Sequence, residues 1–110
     1  MELHSLADIV ARQAESGRDY EQFINAGSLS LGRYVLAAGA IDEQTPHAED
    51  EVYYVVSGRG MIRVAAEEQP VGPGSIIFVG ATIPHRFFDI TEDLSLLVFF
   101  APQHQLDRTE

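Results

Sequence analysis

An all-β domain behind a single N-terminal helix is what the sequence predicts, and three observations predict it. At least six short segments after residue 28 are rich in β-branched, aromatic and alternating apolar residues. Glycine and proline clusters punctuate those segments. No second helical pattern separates them, which excludes the parallel crossover units of α/β folds. An antiparallel sandwich or a closed jelly-roll barrel remains, and closure would keep long apolar edges such as LSLLVFF from pairing with other chains.

The helix is expected over SLADIVARQAESG, residues 5–17. Ser5 is a capping residue with Asp8 three positions on as its reciprocal partner. Leu6, Ile9, Val10 and Gln13 share one side, and Gly17 ends the run. SLSLGRYVLAAG (28–39) alternates around Gly32, which suggests a bulge. EVYYVVSG (51–58) is a strand, and SGRG, with Gly58 and Gly60, predicts a tight turn into MIRVAA (61–66). EEQPVGPG (67–74) reads as turn and short edge. SIIFVG (75–80) is a strand, TIP (82–84) a bend, HRFFDI (85–90) a strand and DLSLLVFFA (93–101) the last strand. The organisation expected is a helix and arm over 1–27, a barrel over 28–102 and a flexible tail over 103–110.

Composition narrows the function. A chain of 110 residues suits one domain, and one this small gains from pairing with a second copy, so a homodimer is expected. Hydrophobic residues make up 45%, enough for a core. A net charge of -10 repels phosphate backbones and disfavours nucleic acid as a partner. The absence of cysteine removes disulfides, thiolate nucleophiles and thiolate metal sites. Lysine is also absent, so Schiff-base chemistry is excluded. With no basic-then-apolar leader and no apolar run near 18 residues, no membrane partner is expected and the cytoplasm is the default compartment.

The chemistry concentrates in PHAEDEVYYVV, residues 46–56. Even separations on a strand share a face, so His47, Glu51, Tyr53 and Val55 can point one way and Val52, Tyr54 and Val56 the other. Both sets are largely apolar, which implies that both faces are covered. A carboxylate inside such a barrel needs compensation. His85, delivered by the bend at Pro84, offers a second imidazole. Two imidazoles and one carboxylate form a donor set for Fe, Mn, Ni or Zn, with positions left for water or a small-molecule ligand.

These residues carry a family resemblance. Gly39, five residues, Thr45, then His47, Glu51 and Gly58 follow the spacing of the first cupin motif, and Gly74, Gly80, Thr82, His85 and Asp89 that of the second. The chain resembles a small single-domain cupin over residues 39–89. The resemblance implies an antiparallel jelly-roll (cupin) barrel with a metal at its centre. Thr45 stands where the first motif has its first histidine, so three ligands are implied where four are usual. Gln44, one residue away, is a further candidate donor if a bulge shifts the register.

Other residues are read more plainly. Tyr53, beside the ligands, is the candidate catalytic residue as substrate orienter or proton donor. Arg33 and Arg63 are candidate clamps for a substrate carboxylate, against a solvent-facing role. Phe78, Phe87, Phe99 and Phe100 are core or interface. Asp42, Glu43, Glu49 and Asp50 read as a solvated loop at the barrel mouth, with one of them an alternative site residue, Asp89 as a partner of His85 or Arg86 or a surface residue, and His4 and His104 as residues of loose ends. Three functions remain open: a metal-dependent enzyme of dioxygenase, isomerase or lyase type acting on a small molecule, a binding or sensing module using the same cavity, and a metal-free structural homodimer.

Overall fold

A computed structural model describes residues 1–43 and 45–104. Helix α1 (Leu6–Ser16) precedes β1 (Tyr20–Asn25), β2 (Ser30–Leu36), β3 (Asp50–Val64), β4 (Glu67–Val71), β5 (Ile76–Val79) and β6 (His85–Ala101). Every strand pair is antiparallel, in the order β1-β2-β6-β3-β4, with β5 also on β3. The fold is therefore mostly β with one N-terminal helix, as predicted. Among the described residues its strand path is open, with no pairing that joins β1 to β4.

Two long strands replace four short ones. The turn expected at Gly58 and Gly60 does not form; β3 runs unbroken for 15 residues, and β6 absorbs both HRFFDI and DLSLLVFFA in 17. The reason lies in bulges. Register between β3 and β6 shifts between Val55 and Ser57, between Ser57 and Arg59, and between Arg59 and Met61. Gly58 (φ 96) and Asp89 (φ 46) take left-handed backbone in these stretches. Buried positions change parity there: Glu51, Tyr53 and Val55 give way to Gly58 and Ile62 on β3, and His85 and Phe87 to Ile90, Leu94, Leu96, Val98 and Phe100 on β6. A bulge thus keeps each half of a strand facing one core while the strand bends. Gly58 is also the point of closest approach, since a Cβ there would lie 2.2 Å from the Asp93 carbonyl oxygen.

The expected arm contains a strand, β1, that the sequence reading did not resolve. Its first residue explains Gly32. No bulge interrupts the β2–β6 register; the irregularity is on β1, between Gln22 and Ile24. Gly32 instead lies beneath the Tyr20 ring, where a Cβ would come within 2.3 Å of Cζ.

Helix α1 packs lightly on this edge. Ile9 and Gln13 are its buried residues, while Leu6 and Val10 remain partly exposed. Ser5 has N-cap geometry but makes no side-chain capping bond, so the reciprocal pairing with Asp8 is absent; Asp8 still lies in the first turn, where the helix dipole favours an acid. Gly17 (φ 70) ends the helix, donating its N–H to the Gln13 carbonyl. The Gln13 side chain fastens helix to sheet. Its Nε2 donates among the carbonyls of Arg18, Asp19 and Arg33, and its Oε1 accepts from Arg33 Nη1 at 2.7 Å.

The core comprises Tyr53, Val55, Phe87, Leu94, Leu96, Val98 and Phe100 with their neighbours. The opposite face of β3, β5 and β6 is apolar too. Val52 pairs with Phe78 and Phe99, and Tyr54 with Ile76 and Leu97. Ile76 is 72% exposed and Phe78 64%, so no described residue covers this outer face.

Candidate metal centre and cavity

Glu51 and Tyr53 enter the interior because they occupy inward positions at the start of β3. His85 enters from the first position of β6. His47 precedes β3, so strand parity does not govern it; its ring packs edge-on against Phe100, with centroids 5.3 Å apart. Ligand atoms of His47, Glu51 and His85 lie within 4.8 Å of one another. Thr45 is exposed and outside this group. The suggested donor Gln44 lies outside the described residues.

Hydrogen bonding constrains the His85 ring. Its Nδ1 is 2.9 Å from the Ile83 carbonyl oxygen, which can only accept, so Nδ1 carries a proton. Nε2 then lies 2.7 Å from Glu51 Oε1, with both side chains 1% exposed, and 3.1 Å from the Tyr53 hydroxyl. A carboxylate and a bare ring nitrogen would repel at this distance, so a proton or a cation belongs between them. Burial pushes the His85 pKa down, but the Glu51 hydrogen bond, the Ile83 carbonyl and the charges of Glu51 and Asp42 outweigh it, and the net shift is upward. Glu51 Oε2 is buried and has no hydrogen-bond partner among the described residues. An orphaned carboxylate oxygen beside two imidazoles fits a divalent ion. The carbonyl-anchored Nδ1 is the outer-shell arrangement that metal-ligating histidines adopt.

A cavity of about 140 Å³ adjoins this group. His47 and Tyr53 reach its wall, which is completed by Tyr20, Tyr34, Val98, Phe100 and His104. It is small beside the roughly 300–1,000 Å³ of pockets for drug-sized ligands. Among the described residues no arginine lines it. Arg33 is tied to Gln13 and to Ser95 Oγ, and Arg63 is exposed beside Glu68, so neither candidate clamp reaches the cavity.

Several readings of single residues change. Asp42 and Glu49 are buried, not solvated. Asp42 accepts from the Tyr34 hydroxyl at 2.9 Å and from the Phe87 N–H at 2.8 Å. Asp50 accepts from the Ala81 N–H at 2.7 Å. Asp89 takes the surface alternative and is exposed. His104 is built in: its N–H donates to Ser30 Oγ at 2.9 Å, its ring stacks on Phe100 with centroids 4.5 Å apart, and its Nδ1 is 2.7 Å from Glu49 Oε1. The remainder of the expected tail, 105–110, lies outside the described residues. Tyr20 is a residue that sequence reasoning misses. Its hydroxyl is buried without a partner among the described residues, and burial, then Glu51 and Glu49, hold its pKa far above the phenol range. The one sequence signal for it is Gly32, a strand glycine that marks close approach.

Comparison with known proteins agrees with this architecture. No helix among the described residues is long and apolar enough to cross a membrane. The chain is 44% identical over 102 residues to the uncharacterized protein SCO3923 of Streptomyces coelicolor, covering 93% of this chain and 97% of that one. It is similar in structure to TT1209 of Thermus thermophilus, with 27% identity, TM-score 0.71, and coverage of 93% and 98% of the two chains. The DMSP lyase DddQ of Ruegeria pomeroyi shares the fold at 17% identity and TM-score 0.69, covering 87% of this chain and 52% of that one. The cupin domain model matches residues 32–100, a span from within β2 into the end of β6 with both histidines and the carboxylate of the buried group, and the chain belongs to the cupin family.

Proposed function

We propose that the chain is a metal-dependent cupin acting on a small molecule, with His47, Glu51 and His85 holding one divalent ion of Fe, Mn, Ni or Zn. One observation carries this reading: the anchored His85 ring presents Nε2 to Glu51 while Glu51 Oε2 stays orphaned. When bound, the ion supplies Lewis-acid polarisation of a ligand oxygen or, if redox-active, dioxygen chemistry of dioxygenase type. The cavity selects a ligand of a few heavy atoms. Its wall is largely aromatic, and the lack of arginine among the described residues that line it favours a neutral or metal-anchored molecule over a free anion. Tyr53, with its hydroxyl 3.1 Å from His85 Nε2, is placed to orient that molecule or to move a proton. The outer apolar face of β3, β5 and β6 suits a second copy of the chain, giving a homodimer.

The test is metal retention by tag-free protein against a competing chelator. Near-stoichiometric metal is expected in the parent. Glu51→Gln weakens retention because a neutral amide removes a charge, and His85→Ala removes a ligand of this site. Parent-like affinity at this site in both variants would refute the assignment. The same 2.7 Å contact favours a second reading, in which one proton closes it and the polar group is a metal-free part of a binding or structural module. Absence of metal after anaerobic reconstitution would select that reading.

A further inference from the structure

Beyond the centre just proposed, the cavity holds a second donor set of the same composition. Ligand atoms of His47, Glu49 and His104 also lie within 4.8 Å of one another. They come from different places: His47 and Glu49 from the segment entering β3, His104 from the segment leaving β6. Glu49 is 5% exposed, a degree of burial that surface acids do not show. The two imidazoles approach to 4.8 Å between centroids at 78°. His104 is positioned by its own Phe100 stack and Ser30 bond, and so has the outer support that a ligand needs. A separate observation points into the same space. The buried Tyr20 hydroxyl, without a partner among the described residues, feels both Glu51 and Glu49 and lines the cavity beside His47 and His104.

We infer that His47, Glu49 and His104 form a second position for a divalent transition-metal ion. Lysine is absent from the chain, and among the described residues no arginine lines the cavity, so the described wall offers the buried carboxylates no fixed cation. For the ion to sit between them, the neutral His104 ring takes the tautomer with its proton on Nε2, so that Nδ1 offers its lone pair beside Glu49 Oε1 across their 2.7 Å contact. A neutral imidazole offers one lone pair, so His47 serves one ion at a time. The two positions are therefore alternatives, and the ion at the second one pins the segment after β6 across the cavity.

The experiment is titration of the metal-free chain with Co(II), read by visible absorption and by paramagnetic shifts of the histidine ring protons. Parent, His85→Ala, His104→Ala and the double variant are compared, with circular dichroism as the folding control and Glu51→Gln in place of His85→Ala should that variant not fold. His85→Ala is expected to bind one Co(II) with shifted His104 ring protons. Adding His104→Ala lowers that affinity by more than the tenfold to hundredfold typical of losing an outer-shell partner. His85→Ala binding Co(II) while His104→Ala binds none would leave this position standing and remove the one proposed above. Folded His85→Ala that binds none, or binds no more tightly than the double variant, would overturn it, whatever His104→Ala does.

Discussion

At the scale of single residues, the contact between His85 Nε2 and Glu51 sets a pH dependence for the metal-free protein. The folded-state pKa of His85 is raised above its ordinary 6.5, so the folded chain holds this proton more tightly than the unfolded one. The stabilisation is complete below about pH 6.5 and is lost as pH rises through the raised folded value. Thermal unfolding in chelator should therefore show the parent losing stability between mildly acidic and alkaline pH, and Glu51→Gln losing less. Added metal reverses the sign, because the ion competes with that proton. Glu51, Tyr53 and Val55 are legible from parity because all three lie inside one regular stretch of β3. His47 is legible only through motif spacing. His104 is not legible: its place depends on Ser30, 74 positions away, and no local pattern encodes that contact.

Among the elements, strand glycines are the ambiguous letters. A glycine with positive φ serves a tight turn and a bulge alike, and the choice belongs to the partner strand. β6 pairs along both halves of β3, so the Gly58 region forms a bulge and the expected reversal there vanishes. Gly32, expected at a bulge, proves to be a seat for Tyr20. Gly32→Ala is expected to push the Tyr20 ring out of the cavity and to cost about 1–3 kcal/mol, as overpacking does. In a Tyr20→Ala background the same change should cost less than about 1 kcal/mol. Equal costs in both backgrounds, measured by denaturant unfolding, would show that the ring is not what Gly32 accommodates.

For the whole molecule, the antiparallel architecture is legible because period-2 alternation survives in short windows. The openness of the strand path is not, since closure depends on which edges meet. The outer face formed by Val52, Tyr54, Ile76, Phe78 and Phe99 carries the expectation of a dimer. Sedimentation at micromolar concentration should give twice the 12.1 kDa chain mass, and Phe78→Glu, which sets a charge into the middle of that face, should shift it to the monomer. A parent that sediments as a monomer would sink the dimer.

The pairing order also governs how the protein can be made. β6, hydrogen-bonded to both β2 and β3, is the last of the six strands to be synthesised. A nascent chain ending at Gly80 can form the β1–β2 hairpin and the β3–β4–β5 group, but nothing joins them. Each would present an unpaired apolar edge to its surroundings until residues 85–101 emerge. Assembly of the sheet should therefore wait for β6, and a ribosome stalled before it would leave two aggregation-prone fragments tethered by one loop.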